Sequence, residues 1–74
     1  MYQIIKENSE ILRDMRNDSY AKKLGMSAVN ICNIFAGQTT KLSTVIGIIS
    51  IRYNITAEDE KMEGLVEKHF IKIK

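Results

Sequence analysis

Residues 19–37, SYAKKLGMSAVNICNIFAG, contain the clearest structural pattern in the sequence. A short helix is expected over Tyr20–Leu24, and Gly25 follows it, the residue best able to adopt positive φ beyond a helix end. Ser27 is a good N-cap for the next helix, which Gly37 ends. The stretch therefore predicts two short helices joined by a tight glycine turn.

The spacing within this stretch is typical of a helix-turn-helix. Ala21 is small, so the second helix can approach it closely, and Gly25 provides the turn between two helices that cross steeply. Met26 is expected to fill the space between them. Ile31 and Ile34 would anchor the second helix, which leaves its N-terminal and outward residues free to enter a major groove.

The sequence before this stretch, and the segment after it, predict further helices. Apolar residues at helical spacing predict an amphipathic helix over residues 2–16, followed by three possible N-caps, Asn17, Asp18 and Ser19. Residues 41–56 carry a helical stripe, but their run VIGIISIRY is rich in β-branched residues and favours a strand. We interpret the segment as a helix because of its length and spacing, and over residues 45–55 the strand remains an alternative.

A last helix is expected after Thr56, which would cap it. The acidic residues 58–60 would then lie in its first turn, where they suit the helix dipole. The tail, residues 70–74, is interpreted as a fraying helix end, with a short strand as the alternative. We therefore expect an all-α, five-helix fold in which residues 1–74 form a single domain.

Length and composition exclude several classes of protein. The chain has 74 residues, 45% hydrophobic and 27% charged, which is the ordinary globular range. It lacks the apolar run of ~18 residues needed for a transmembrane helix, and its N-terminus does not read as a signal peptide. A single cysteine excludes a disulfide framework and favours the cytoplasm. We expect a cytoplasmic protein with no membrane contact.

Catalytic and metal-binding patterns are absent from the sequence. There is no Ser/His/Asp or Cys/His arrangement and no phosphate-binding loop. Cys32 is expected to be partly buried on its helix, without a second Cys or paired His nearby to hold a metal. His69 is expected to be a solvated surface residue. The prediction is a protein that is not an enzyme and that uses no cofactor or metal.

The central stretch resembles the lambda-repressor-like helix-turn-helix domains of the Cro and xenobiotic-response-element type. Seven residues fall in register with that family's pattern without a gap: Ala21, Gly25, Met26, Ser27, Ile31, Ile34 and Gly37. The likeness is specific over residues 19–37 and extends to the helices on both sides, about residues 4–70. It is closest to small phage and Gram-positive regulators that consist of the DNA-binding domain alone.

The resemblance implies which residues would contact DNA. Base edges would be read from the start of the third helix by Ala28, Val29 and Asn30, and one turn further on by Asn33. The DNA backbone would be contacted by Asn17, Ser19, Lys22, Lys23, Gln38, Thr39, Thr40 and Lys41. Because Asn can pair bidentately with adenine, and Val or Ala can contact a thymine methyl, this set favours A·T-rich sequence.

Charge is distributed unevenly along the chain. Residues 13–41 hold five basic and two acidic residues, whereas residues 57–74 hold four basic and five acidic ones. The first segment therefore provides a modest basic face. The reading helix departs from the family, since no charged residue lies between Met26 and Gln38. Few phosphates could be neutralised by one protomer, and a dimer would double that number.

Two functional hypotheses follow. The first is a sequence-specific transcriptional regulator that binds a double-stranded DNA operator as a homodimer. The alternative is an antirepressor or modulator of repression that contacts a partner repressor protein, motivated by the uncharged start of the reading helix. We also expect a surplus of apolar side chains, which would mark a partner surface at the C-terminal helix or tail: Tyr53, Ile55, Phe70 and Ile73.

Overall fold

Residues 1–73, which the computed structural model describes, fold into five α-helices, one 3₁₀-helix and two short strands. In chain order these are β1 (Tyr2–Ile4), the 3₁₀-helix (Lys6–Asn8), α1 (Glu10–Arg13), α2 (Asn17–Leu24), α3 (Ala28–Ala36), α4 (Leu42–Tyr53), α5 (Met62–His69) and β2 (Phe70–Lys72). The prediction of a small, mainly helical domain is confirmed. The prediction that it is all-α is wrong, because the two strands pair.

A single apolar core joins the helices. Leu12, Ile31 and Ile48 are fully buried, and so is Tyr20. The Tyr20 hydroxyl donates to the carbonyl oxygen of Leu12 at 2.7 Å, and its ring meets that of Phe35 edge-on, with centroids 5.5 Å apart. Burial raises the pKa of Tyr20 to about 12, so the phenol remains a donor. The core thereby fixes α2 and α3 against α1 and α4.

The α2–α3 junction forms at the predicted residues. Gly25 ends α2 in the left-handed conformation with φ 67°, and the backbone N–H of Met26 donates to the carbonyl oxygen of Ala21 at 2.9 Å. The Ser27 hydroxyl accepts from the N–H of Asn30 and caps α3, and Gly37 ends it. These boundaries are confirmed.

The start of α2 differs from the prediction. The helix begins at Asn17, and its N-cap is Arg16, which makes no side-chain capping bond. Asn17, Asp18 and Ser19 lie inside the first turn, so none of them is the N-cap. Asp18 instead forms a surface ion pair with Arg16, at 3.3 Å.

The segment that could have been a strand is helical. α4 runs from Leu42 to Tyr53 and ends at Asn54, which has φ 56°. Within it, Gly47 faces α2, because a Cβ there would lie 2.5 Å from the Leu24 Cδ2 atom. The glycine therefore allows α4 to approach α2 closely, and burial of the β-branched residues outweighs their local strand preference.

The secondary structure near both ends of the chain differs from the prediction. Residues 2–16 do not form one helix, since residues 2–4 pair antiparallel with residues 70–72, in the register Tyr2 to Lys72 and Ile4 to Phe70. Only Glu10–Arg13 is α-helical in the N-terminal segment. Residues 70–72 of the tail thus form a strand and not a fraying helix end, and Lys74 lies outside the described residues. Backbone hydrogen bonds between distant parts of the chain replace the local helical ones.

The last helix starts later than predicted. α5 begins at Met62, so Thr56 does not cap it, and the acidic residues 58–60 lie in the preceding turns. A carboxylate oxygen of Asp59 accepts from the N–H of Lys61 at 2.8 Å within those turns.

The apolar residues expected to remain uncovered are largely packed. Phe70 is buried in the core, and Tyr53, Ile55 and Ile73 are half-buried. Within residues 1–73 the exposed large apolar side chains are Met1, Val29, Leu42 and Ile71.

Candidate nucleic-acid interface

The outer face of α3 is open to solvent along the length of the helix. Ile31, Ile34 and Phe35 are buried on its inner face. Val29 is 67% exposed, and the other exposed side chains of the helix are Ala28, Asn30, Cys32, Asn33 and Ala36. Cys32 is exposed and not partly buried as expected. The four predicted base-reading residues, 28–30 and 33, therefore share one accessible surface.

The N-terminal end of α3 presents an unopposed positive dipole. Its first turn contains no acidic residue, so no carboxylate offsets the partial charge of the free N–H groups. The one polar partner there is the neutral Ser27 hydroxyl, which lies 3.1 Å from the Asn30 nitrogen. An anion can approach this end of the helix without meeting negative charge.

Basic residues precede and follow α3 in the sequence, and α3 itself contains no acidic residue. Residues 19–57 contain four basic residues, Lys22, Lys23, Lys41 and Arg52, and no Asp or Glu. The three lysines are exposed, whereas the Arg52 guanidinium donates internally to the carbonyl oxygen of Ile11 at 2.8 Å. The absence of acidic residues from 19–57 is a sequence signal that a charge count over residues 13–41 does not reveal.

The predicted backbone-contacting residues differ in accessibility. Gln38 and Lys41 are exposed, and Thr39 is half-buried, as are Asn17 and Ser19. Thr40 is only 8% exposed, and its backbone N–H and carbonyl both hydrogen-bond with Tyr2, at 2.8 and 2.7 Å. Thr40 therefore holds the loop to β1, and little of its side chain is accessible to a ligand.

The glycine turn and the start of α4 enclose a small hollow. Its lining includes Gly25 and Met26 from the turn, and Lys41, Ser43 and Thr44 from the start of α4. α4 also lacks an acidic residue in its first turn and a side-chain capping bond. Lys41 and Ser43 thus lie at the N-terminal end of α4, and ammonium, hydroxyl and helix N-terminal N–H groups are groups that bind phosphate.

A buried polar cluster links the start of α1 with α4 and α5. His69 is fully buried, not solvated as expected. Its Nε2 atom lies 2.7 Å from the Tyr53 hydroxyl, and its Nδ1 atom lies 3.4 Å from the Ser9 hydroxyl. Burial lowers the pKa of His69, because desolvation disfavours the charged imidazolium.

Ser9 and His69 have no exposed surface, whereas Tyr53 is half-buried. Ser9 also donates to the carbonyl oxygen of Ile5 at 2.7 Å, so the cluster connects three segments of the chain. Sequence reasoning missed it because its members are far apart in the chain and have no local spacing.

Two further findings concern the described part of the chain. Over residues 1–73, no helix combines the length and the apolar character needed to cross a bilayer. Nor do three His, Cys, Asp or Glu side chains of that range come together as a metal site requires.

No protein-family model, curated protein or solved structure matches the chain. Its function is therefore inferred from the residues and the geometry described above.

Proposed function

We propose that this protein is a sequence-specific transcriptional regulator of the lambda-repressor-like, Cro type, acting on double-stranded DNA in the cytoplasm of a bacterium or a phage-infected cell. In this proposal α2 and α3 are the helix-turn-helix, and α3 enters the major groove. The observation that carries it is the open outer face of α3, free of acidic residues and flanked by the exposed Lys22, Lys23 and Lys41.

The roles of the motif residues support the proposal. Ala21, Ile31 and Ile34 are buried, and Gly25 adopts the left-handed conformation that the turn requires. The residues between them on α3 point outward. A helix held by its inner face, with its N-terminal residues accessible, is the arrangement that reads base edges in helix-turn-helix proteins.

Each of the residues proposed to contact DNA has a matching group on the double helix. Asn30 and Asn33 can pair bidentately with adenine, and Ala28 and Val29 can contact thymine methyl groups. Lys22, Lys23, Lys41 and Gln38, together with the half-buried Asn17, Ser19 and Thr39, are assigned to the phosphate backbone. This set contains no arginine to pair with guanine, so we propose an A·T-rich half-site.

A homodimer fits the small number of basic groups per protomer. Two copies on a pseudo-palindromic operator would place two α3 helices in successive major grooves, about 34–36 Å apart, and double the phosphate contacts. Ile71, 52% exposed, lies on β2 and faces the same side of the terminal sheet as Met1, by the alternation of strand residues. These apolar side chains are the surface that we assign to the second copy.

The test is selection of binding sites from a random double-stranded DNA library, followed by substitution of Asn30. Asn30→Ala is expected to weaken binding to the selected site by ~1–3 kcal/mol and to leave binding to random DNA unchanged. Asn8→Ala, at an exposed asparagine outside α2 and α3, is the matched control. An equal loss on selected and random DNA would contradict base reading by Asn30.

One observation favours a second candidate function, that of an antirepressor or modulator of repression. The exposed side chains of α3 include no charged group, and Val29 presents a large apolar surface at its start, a composition suited to a protein partner as well. In that case the partner is a repressor encoded nearby, and the two should copurify. Binding of the isolated protein to operator DNA at physiological salt would argue against this candidate.

A further inference from the structure

A groove lies on the side of the molecule formed by α4, α5 and β2. Its volume is about 590 Å³, and apolar side chains form its floor: Ile46, Met62, Val66 and Phe70. Leu42, at the edge of the groove, is 41% exposed, whereas Met62, Val66 and Phe70 on its floor are 5%, 8% and 2% exposed. The accessible apolar surface of the groove therefore comes from Leu42 and from the half-buried Tyr2 and Ile46.

Acidic side chains surround this groove. Asp59, Glu60, Glu63 and Glu67 line it, against a single basic lining residue, Lys72. Within residues 1–73 the one ion pair is Arg16–Asp18, so these four carboxylates have no basic partner there. Glu63 and Glu67 are one helical turn apart, a spacing at which like charges repel. A ligand with positive charge would relieve that repulsion.

The apolar and acidic residues lie side by side along α5 and at the start of β2. Met62, Val66 and Phe70 follow one another at intervals of four residues, and Glu63 and Glu67 lie beside them in the sequence. α5 has eight residues, so this strip is about 12 Å long at 1.5 Å per residue. Two turns of a helix carrying apolar residues at positions i and i+4 match that length.

We propose that the groove binds a basic amphipathic helix of a partner protein, with apolar side chains on the α4–α5 floor and Lys or Arg beside the carboxylates. A second copy of this chain is a poor occupant, because a two-fold contact through the groove would bring the two acidic rims together. Nucleic acid is repelled by the same carboxylates.

The groove is independent of the proposed DNA interface. None of its lining residues belongs to α2 or α3, and its charge is opposite to that of the lysines that flank α3. A partner could therefore occupy the groove while α3 is bound to DNA, and loss of one interaction does not predict loss of the other.

The experiment is selection from a displayed library of random peptides about 16 residues long, enough for four helical turns. The recovered peptides are expected to be basic, with apolar residues at i and i+4. Their affinity is measured by fluorescence anisotropy against the double variant Glu63→Gln/Glu67→Gln. We expect binding about threefold to tenfold weaker, with a reduced salt dependence, since two exposed charge pairs are lost.

The matched control is the double variant Glu7→Gln/Glu10→Gln, which removes two exposed carboxylates outside the groove and is expected to bind as the unchanged protein does. Amide shifts of the bound protein should fall on α4, α5 and β2. Recovery of neutral or acidic peptides, an equal loss in the control variant, or shifts confined to α2 and α3 would each overturn the proposal. So would dimerisation through the groove, detected by sedimentation. DNA binding by both double variants is expected to be unchanged, which separates this test from that of the regulator.

Discussion

The face formed by α2 and α3 and the groove beside α5 carry opposite charge. Residues 19–57 include four basic and no acidic residues, whereas residues 58–67 include five acidic residues and one basic one. These two segments carry charges of +4 and −4, and the net charge of the whole chain is only +2. A small net charge therefore does not exclude binding of a charged partner when the charges are separated in space.

The two sides of α3 also differ, in burial and not in charge. Its inner side contributes Ile31, Ile34 and Phe35 to the core, and its outer side is exposed and makes no contact that the fold needs. Stability and binding should therefore depend on different residues of one helix. The variants below test this separation, beginning with the largest expected effect.

Ile31→Ala should cause the largest loss of stability. Ile31 is fully buried, so truncation leaves a cavity and should lower the free energy of unfolding by ~2–5 kcal/mol. Val29→Ala, on the exposed side, should change it by less than about 0.5 kcal/mol and weaken binding to the selected DNA site instead. Urea unfolding followed by circular dichroism measures the first effect. Similar losses of stability in both variants would show that the outer face is structural.

Removal of the lysines beside α3 should weaken DNA binding on all sequences. Lys22→Gln/Lys23→Gln is expected to cost about tenfold in affinity and to reduce the slope of log K against log salt by about two, since each phosphate contact contributes about 0.9. Lys61→Gln/Lys68→Gln, which removes two exposed lysines at α5, is the matched control. Equal effects of the two pairs in a salt titration would contradict the assigned face.

Ser27 allows capping to be separated from the electrostatics of binding. Ser27→Ala removes the bond to the Asn30 N–H and should lower stability by ~1 kcal/mol. Ser27→Asp keeps a capping acceptor and suits the helix dipole, so stability should be retained. It places a negative charge at the end of α3 proposed to approach DNA, and binding should fall. A Ser27→Asp variant with full DNA affinity would place the interface elsewhere.

The smallest expected effect is a pH dependence from His69. Burial holds the pKa of His69 below its ordinary value of 6.5, so the unfolded chain binds more protons than the native one as the pH falls below that value. Stability should therefore decrease from about pH 7 to pH 5. The thermal midpoint of His69→Gln should lack this component, whereas Glu63→Gln should retain it. An unchanged pH profile in His69→Gln would exclude His69 as the cause.

The parts of the fold that sequence reasoning predicted depend on local interactions. The turn at Gly25, the Ser27 cap and the end at Gly37 each involve residues within five positions of one another. The β1–β2 pairing, by contrast, joins residues from opposite ends of the chain, and strands of three residues have no periodicity to detect. Ile4 and Ile5 suited a helix as well as a strand.

The sequence likewise predicted the part of the candidate interface that depends on local structure, and not the part that depends on contacts between distant residues. The exposure of Ala28, Val29, Asn30 and Asn33 follows from helical periodicity once the inner face is known. The burial of Thr40 does not, because it results from pairing with Tyr2. The burial of His69 likewise depends on Ser9 and Tyr53, and no local pattern links these three residues. The groove depends on how α5 packs on α4. The sequence did not predict this packing, because it placed the start of the last helix after Thr56 and not at Met62.

The pairing of β1 with β2 makes the chain a closed loop. Tyr2 and Lys72 are neighbours across the sheet, so nearly the whole chain must come together before these hydrogen bonds form. The entropy cost of closing a flexible loop rises by only about 0.6 kcal/mol for each doubling of its length. Extra residues inserted into the turns of residues 54–61 should thus be tolerated, whereas deletion of residues 1–4 removes the closure altogether and exposes Phe70 to water.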